Sequence, residues 1–290
     1  MNPRESECFA PTLLNHIERA VERLLKALIQ QEKVHIQVDS DCDGYTSAAL
    51  LLNYLYRIFP ATVQNNFTYN LHEDKHHGIN ALMIPEGTTL VIAPDSSSNE
   101  VAEHILLKAA NIDVIVLDHH EAPHDLTDPA IIVNNHMCDY PNKGLSGVGI
   151  VYKFCKVLDS VLKVSYADDF LDLVALGMVA DMMDMRELET RYLTWKGMQR
   201  PQNPFIVGMM EKNEYKIQGK LTPFTIGWYV APFVNAMTRS GALFEKRILF
   251  QSLLEYMAPK LVPSTKRGGK GQEETILTQA LRTAGNVKNH

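Results

Sequence analysis

Acidic and histidine residues recur in this sequence directly after short apolar segments. The apolar segments are Val34–Val38, Leu90–Pro94 and 114–117, and they are followed by Asp39, Asp95 and the triplet Asp118, His119 and His120. Carboxylates and imidazoles at such positions can transfer protons or bind divalent cations. One acidic segment end would be ordinary, but three in one chain indicate a shared site.

The first acidic end, the sequence DSDCDG, has alternating aspartates at Asp39, Asp41 and Asp43. In a turn these carboxylates can surround a cation, and Gly44 allows a tight turn into a helix that we expect to begin two residues later. A calcium loop of the EF-hand type needs a preceding helix and a glutamate six residues after the glycine. Here a strand is predicted before the motif and Leu50 stands at the glutamate position, so we favour a different metal site.

Two further aspartates are candidates for the same site. Asp95 precedes three serines, so it could equally cap a helix or a turn. Asp181 ends the apolar stretch LVALGMVA, where a cation would offset the cost of a buried carboxylate; the alternative is a helix end open to water. The candidate ligand set is Asp41, Asp43, Asp95, His119 and Asp181. Such oxygen and nitrogen ligands suit Mn²⁺ or Mg²⁺, and two ions sharing a carboxylate could activate a water for attack on phosphorus.

The periodicity of the sequence predicts the elements that would position these residues. We predict strands at Val34–Val38, 62–70, Leu90–Pro94, 114–117 and 131–133, and helices at 13–29, 47–59, 99–110, Gly147–Leu162, 168–179, 243–257 and 272–284. Alternating strands and helices are typical of a parallel α/β sheet flanked by helices. Ligands bind beyond the carboxyl ends of such strands, which is where the acidic residues stand.

The composition is ordinary for a globular protein and excludes few functions. The 290 residues are 46% hydrophobic and 21% charged, and no run of about 18 apolar residues predicts a membrane-spanning helix. The N-terminus does not resemble a signal peptide and the four cysteines show no CxxC spacing, so we expect a reduced, cytoplasmic setting. The net charge of −6 argues against a basic protein that coats nucleic acid, but it does not exclude a nuclease with bound cations.

Together the motifs resemble the DHH phosphoesterase superfamily, which is named for the triplet at 118–120. Within it, the segments GLSGVGIVYKF, LVALGMVADMMDM and IGWYVAPFVNAMTRSG resemble the bacterial RecJ family of single-strand-specific 5′→3′ exonucleases. The resemblance covers roughly residues 34–254. It implies a metal-dependent hydrolase that acts on single-stranded nucleic acid, with DNA favoured, in DNA repair and recombination.

The resemblance implies a role for each candidate residue. Two divalent cations, Mn²⁺ in preference to Mg²⁺, would be bound by Asp41, Asp43, Asp95, His119 and Asp181, with Asp95 bridging them. His120 would face the scissile phosphate, Asp118 would orient a neighbouring histidine, and Asp39 would be a further ligand or a supporting acid. Arg239 and Asn235 would bind phosphate of the nucleic acid.

The sequence departs from the family in two respects. Family members often have a histidine at the position of Gln37, so one metal site is expected to be weaker or differently filled. The resemblance also implies a catalytic domain at 1–195 and a mostly helical connector at 196–290, with the family's second domain absent or truncated. We therefore expect either a missing C-terminal domain or a protein partner to complete the substrate groove.

Two other functions are compatible with the same residues. A hydrolase of short oligonucleotides, cyclic dinucleotides or pyrophosphate would use the same metals. A replication scaffold would need no catalysis, although the retained ligand set argues against this alternative. The histidine-rich segment HEDKHHG (72–78) is interpreted as an exposed loop that could approach the site.

Overall fold

A five-stranded parallel sheet forms the centre of the structure, a computed structural model that describes residues 3–73, 76–123, 127–269 and 271–288. The strands are β1 (Val34–Val38), β2 (Phe67–Leu71), β3 (Leu90–Pro94), β4 (Asp113–Asp118) and β5 (Ile131–Asn134). Their order across the sheet is β2-β1-β3-β4-β5. The predicted parallel α/β architecture is confirmed.

Helices flank the sheet, and a mostly helical region follows it. The first group comprises α1 (Ile17–Ile29), α2 (Cys42–Ile58), α3 (Pro60–Asn66), α4 (Val101–Ala109), α5 (Gly147–Leu162), α6 (Leu171–Ala180) and α7 (Leu188–Gln199). The following region comprises α8 (Pro204–Lys212), α9 (Glu214–Ile217), α10 (Pro223–Tyr229), α11 (Ala231–Ser240), α12 (Leu243–Leu253) and α13 (Ile276–Lys288). It also contains an antiparallel hairpin of β6 (Leu261–Pro263) and β7 (Glu273–Thr275).

Both faces of the sheet are buried, which explains why its central strands are continuously apolar. In β3, Leu90 and Ile92 belong to the large core cluster that includes residues of α2 and α5. Val91 and Ala93 point the other way and pack in a smaller cluster with Leu107 of α4. Because helices cover both faces, neither face of β3 needs polar residues.

The sheet opens at the carboxyl ends of β1 and β3. The pairing of these two strands extends only to Ile36 and Ile92, two residues before either strand ends. β1 lies between β2 and β3, so the strand order reverses at this point. Ligands of such sheets bind in the crevice where the order reverses. The fold therefore indicates that a ligand site lies among the residues that follow β1 and β3.

Three predicted elements differ from the observed ones. Helix α2 begins at Cys42, earlier than expected, because Oδ1 of Asp41 accepts a hydrogen bond from the Gly44 amide at 2.9 Å and caps the helix. The segment 62–70, predicted as a strand, is divided between α3 and β2, with Pro60 at the first position of α3. The predicted helix at 272–284 is preceded by a strand, because β7 pairs with β6 before α13 begins.

The region after α7 packs directly on the sheet domain. The Asn53 side chain in α2 donates to the carbonyl of Leu253 and accepts from the amide of Glu255, each at 2.9 Å. Asn203 donates to the same Leu253 carbonyl at 2.8 Å. The predicted domain boundary at residue 195 falls within α7, and the division into two domains stays a prediction. In the part of the chain that the structure describes, no helix is long and apolar enough to cross a membrane.

Candidate active site

Acidic and histidine side chains converge beyond the carboxyl ends of β1, β3 and β4. Three groups of these residues have ligand atoms within 4.8 Å of one another and could each hold a metal ion. The groups are Asp39, Asp41 and Asp95; Asp43, His119 and Asp181; and Asp95, His119 and His120. Since Asp95 and His119 each belong to two groups, the residues form one continuous site. We call Asp39, Asp41, Asp43, Asp95, His119 and Asp181 the acidic cluster.

His119 lies at the centre of the acidic cluster. Its Nε2 atom is 3.2 Å from Oδ1 of Asp95, 3.6 Å from Oδ2 of Asp181 and 3.8 Å from Oδ2 of Asp43. These carboxylates come from the first turn of α2, the end of β3 and the end of α6. Burial lowers the pKa of His119 to about 4. The imidazole is therefore neutral at neutral pH, which is the form that binds metals.

The carboxylate of Asp43 is buried against the N-terminus of α5. It accepts hydrogen bonds from Ser146 Oγ at 3.0 Å, from the Gly147 amide at 2.6 Å and from the Val148 amide at 3.3 Å. Free amides and the helix dipole at such an N-terminus favour a negative charge. Burial and the neighbouring acids nevertheless raise the pKa of Asp43, so these hydrogen bonds do not fully compensate its charge.

Two glycines allow helices to approach the acidic cluster closely. A Cβ atom at Gly147 would lie 2.2 Å from Oδ1 of Asp95, and a Cβ atom at Gly177 would lie 2.3 Å from Oδ1 of Asp43. In a close-packed interior, neither position can carry a side chain unless the acid beside it moves. The glycines of the motifs GLSGVG and LVALGM thus stand where α5 and α6 pass the carboxylates.

Asp95 is held in a conformation that few non-glycine residues adopt. Its φ angle is 66°, in the left-handed region, and its backbone N–H donates to the Leu117 carbonyl at 2.8 Å. Among the described residues, its buried Oδ1 has no hydrogen-bond partner, because the nearby Nε2 of His119 does not meet hydrogen-bond geometry. Burial and the surrounding acids raise the pKa of Asp95 well above its usual value. A cation would satisfy the unpaired oxygen and relieve the repulsion, so these residues fit a metal site.

The remaining carboxylates complete a metal-compatible set of donors. Burial raises the pKa of Asp39 and of Asp181 to about 6 in each case. Asp41, which caps α2, is partly exposed at the mouth of the site. The structure thus places all five predicted ligands at one location. Oxygen and nitrogen donors without thiolate suit Mn²⁺ or Mg²⁺, and the individual ligand roles stay predictions.

Asp118 organises the DHH segment from behind the acidic cluster. Its Oδ1 accepts hydrogen bonds from the His119 amide at 2.7 Å, from the His120 amide at 3.2 Å and from His120 Nδ1 at 2.7 Å. Its Oδ2 accepts from the Ser98 amide at 3.1 Å, and Asn134 donates to the His120 carbonyl at 2.9 Å. With Nδ1 engaged, the half-exposed His120 ring has its Nε2 available to a substrate.

Two histidines that we had assigned to an exposed loop contact the site. Nδ1 of His77 lies 2.9 Å from Oδ2 of Asp39, although 63% of the His77 side chain is exposed. Nε2 of His72 lies 3.0 Å from Nε2 of Gln37, which is fully buried. Gln37 thus stands at the position where the family often has a histidine. Its side-chain amide contacts His72, the residue directly after β2. The signal was present in the sequence, since 72–78 directly follows a strand of the same sheet.

Arg239 and Asn235, the predicted phosphate-binding residues, lie on α11 outside the acidic cluster. Arg239 is exposed and Asn235 is half-buried one turn earlier. Helix α11 packs against α2 and α6, the helices that carry Asp43 and lead into Asp181. Both residues therefore stay candidates for contact with a longer substrate.

Comparison with known proteins identifies relatives of the chain. The N-terminal domain of the DHH family matches residues 33–178, half of the chain. YorK, a protein of the SPbeta prophage of Bacillus subtilis (strain 168) that is named for single-strand DNA-specific exonuclease activity, is 36% identical and is matched over 99% of this chain and 49% of its own length. The single-stranded-DNA-specific exonuclease RecJ of the same organism is 29% identical over 82% of this chain and 30% of its own length. The chain therefore spans about half, or less, of the length of these relatives.

Solved structures of RecJ have the same fold as this chain. The exonuclease RecJ bound to manganese matches with a TM-score of 0.78 over 97% of this chain and 68% of that one, at 20% identity. RecJ from Thermus thermophilus in complex with Mn²⁺ matches with a TM-score of 0.73 over 95% of this chain and 38% of that one, also at 20% identity. The five-stranded sheet and the helical region that follows it are thus a RecJ-like fold.

Proposed function

The chain belongs to the DHH family, and we propose that it is a metal-dependent phosphodiesterase that removes nucleotides from the 5′ end of single-stranded DNA. The observation that carries this proposal is the convergence of carboxylates from α2, β3 and the end of α6 on the neutral imidazole of His119. The relatives named as single-strand-specific exonucleases support the substrate class. The 5′→3′ direction follows from the resemblance to RecJ.

We assign two divalent cations to the acidic cluster, with Mn²⁺ preferred to Mg²⁺. The residues that would hold them are Asp41, Asp43, Asp95, His119 and Asp181, with Asp39 beside them. When bound, two cations would neutralise charge on the phosphoryl oxygens and lower the pKa of a water that attacks phosphorus. The preference for Mn²⁺ rests on the imidazole ligand, and RecJ structures with Mn²⁺ and with Mg²⁺ share this fold.

The residues of the chain prepare the site before substrate arrives. Asp43 is fixed by the N-terminus of α5 and Asp95 by its backbone hydrogen bond to Leu117, so little ordering is needed when cations bind. Asp118 fixes the His120 ring and, through that hydrogen bond, raises the pKa of His120 to about 9. The ring is therefore protonated at neutral pH, and its exposed Nε2–H can donate to a phosphate oxygen.

The experiment that tests this function is nucleotide release from 5′-labelled single-stranded DNA of about 5 and about 40 nucleotides with Mn²⁺. We expect the wild-type chain to release mononucleotides from the 5′ end, with a duplex of the same sequence resistant. Asp95→Asn should reduce the rate more than about 100-fold. Asp184→Asn is the matched control. Asp184 stands three residues beyond Asp181, and its partly exposed carboxylate pairs with Arg186.

Each outcome separates the candidate functions. Release from both lengths, lost in Asp95→Asn and retained in Asp184→Asn, supports the exonuclease. Cleavage of the short substrate only favours the hydrolase of short oligonucleotides or cyclic dinucleotides. No release from either length, with Mn²⁺ bound in calorimetry, contradicts the proposal and favours a scaffold.

A further inference from the structure

Exposed aromatic rings cluster on α9 and α10. Tyr215 is 92% exposed, Phe224 62% and Trp228 61%. The ring centroids of Phe224 and Trp228 are 5.9 Å apart, and those of Phe224 and Tyr229 are 6.4 Å apart. We call Phe224, Trp228 and Tyr229 the aromatic patch; the exposed Tyr215 stands on the neighbouring helix α9. Large exposed apolar groups that are contiguous usually mark a binding surface.

Tyr229 packs partly against the core, but Phe224 and Trp228 contribute little to the packing of the fold. Helix α10 buries Thr225 and Ile226 against the rest of the protein, and the Thr222 side chain caps its N-terminus. The faces of Phe224 and Trp228 are turned to solvent instead. Their exposure therefore calls for a ligand, since water solvates aromatic faces poorly.

The aromatic patch lies at the edge of the candidate active site. A Cβ atom at Gly227, the residue before Trp228, would lie 3.8 Å from Cγ1 of Val179 in α6. Asp181 of the acidic cluster follows Val179 by two residues. Met182, the residue after Asp181, is 88% exposed and has a φ angle of 57°, so this end of α6 is open to solvent. A polymer whose phosphate reached Asp181 would pass close to α10.

Cations accompany the aromatic rings. Nζ of Lys216 lies 5.2 Å from the ring centroid of Tyr229. Lys216 is exposed, and so is Lys220, which stands just before α10. Rings with cations beside them match the alternating bases and phosphates of an unpaired strand, which stacks on aromatic residues and pairs with lysines.

We propose that the aromatic patch is a stacking surface for unpaired bases of the strand whose phosphate is cleaved at the acidic cluster; the inference rests on the proposed nuclease function. A protein partner or a second copy of the chain could also cover exposed rings. Nucleobases are favoured because the patch is aromatic rather than aliphatic, carries lysines and adjoins a phosphodiester site. A paired duplex cannot offer its base faces in this way, so the patch would also contribute to single-strand preference.

Binding of a fluorescein-labelled oligothymidylate of about 12 nucleotides, measured by anisotropy in EDTA so that no cleavage occurs, tests this inference. Trp228→Ala and Phe224→Ala should each weaken binding about tenfold, and Trp228→Phe should retain most of the affinity because it keeps an aromatic face. Tyr166→Ala is the control. Tyr166 is a partly exposed ring beside Arg57, near the end of α2 that is remote from Asp43.

Trp228 also offers a direct signal, since the chain contains only one other tryptophan, Trp195. In a Trp195→Phe background, oligothymidylate should quench the remaining fluorescence as bases stack on Trp228. Equal affinity of Trp228→Ala and wild type, or no quenching at saturation, would overturn the stacking surface. If cleavage then still depends on Asp95, the proposed function stands without it. If the wild type binds no single strand in EDTA, the stacking surface is overturned, and the cleavage assay with Mn²⁺ decides the proposed function separately.

Discussion

Nδ1 of His120 lies 2.7 Å from Oδ1 of Asp118, in a triplet whose middle histidine places its Nε2 within 3.2 Å of Asp95 in the acidic cluster. The hydrogen bond that Nδ1 of His120 donates to Asp118 is the largest cause that raises the pKa of His120 to about 9. Burial alone would raise the pKa of Asp118, but the hydrogen bonds from His120 and Ser98 and the charge of the neighbouring histidines together outweigh burial and lower it. One carboxylate thus keeps His120 charged while burial keeps His119 neutral.

Asp118→Asn should lower the rate of Mn²⁺-dependent hydrolysis about 10–100-fold, the usual effect of losing a residue that orients an active-site histidine. An amide of the same size carries no charge, so the pKa of His120 should fall from about 9 toward its ordinary 6.5. The variant should then lose further activity as pH rises from 6.5 to 8, whereas the wild type should not. Identical pH–rate profiles for the two proteins would contradict the assigned role of His120.

Gly147→Ala should disrupt the acidic cluster, because the added Cβ would lie 2.2 Å from Oδ1 of Asp95. We expect a loss of about 1–3 kcal/mol in unfolding free energy and a large loss of Mn²⁺ affinity. Gly149→Ala on the same helix is the control: its Cβ would meet the movable methyl of Met178 at 2.8 Å, and alanine favours helix. Urea unfolding and calorimetric Mn²⁺ titration measure the two effects. Unchanged Mn²⁺ affinity in Gly147→Ala would argue against Asp95 as a ligand.

Lys153→Met should destabilise the fold by about 3–5 kcal/mol, because it leaves the charge of Glu189 buried without its cation. Lys153 and Glu189 form an ion pair that is almost fully shielded from solvent. Lys156→Met, one turn away on α5, should cost less than about 1 kcal/mol, since Lys156 pairs with the partly exposed Asp168. Chemical unfolding of both variants and of the double variant Lys153→Met, Glu189→Gln measures the difference. The double variant should recover part of the loss.

Asp168 should contribute stability that depends on pH. Burial opposes its ionisation, but hydrogen bonds from Lys196 and Tyr152 prevail and lower its pKa from 3.8 to about 2. The folded protein therefore binds this proton more weakly than the unfolded chain does. The stabilisation is complete above pH 3.8 and is lost as pH falls through about 2.

Asp168→Asn should accordingly lower the unfolding free energy by about 1 kcal/mol at pH 7, a value reduced for solvent screening because the carboxylate is 31% exposed. The difference from wild type should shrink below pH 4 and vanish near pH 2. Urea unfolding at several pH values measures it. A difference that is constant across this range would mean that packing, and not the charge, is what Asp168 contributes.

Local sequence determined the strands and the positions of the residues that could do chemistry. β3 and β4 were identified because both faces of each strand are buried, so the residues between their ends are apolar. β1 was identified from Val34, Ile36 and Val38, although the buried residues that alternate with them are polar. Parallel strands align their carboxyl ends, and this alone predicted that Asp95 and His119 would meet. The predicted start of α2 was wrong because the sequence does not reveal that the side chain of Asp41 caps the helix and lets it begin at Cys42.

Tertiary structure decided which polar residues belong to the cluster and how each is charged. Asp43 accepts a hydrogen bond from the amide of Gly147, 104 residues later, and no local pattern predicts a contact of that separation. Local sequence likewise does not predict that Asp181, at a helix end that could have faced water, lies beside His119. Nor does it predict that His77, in a segment interpreted as a loop, contacts Asp39. Protonation depends on burial and on partners: His119 and His120 are neighbours in sequence, yet burial lowers one pKa and a carboxylate raises the other. Sequence supplies the groups, and only the folded environment sets their charge.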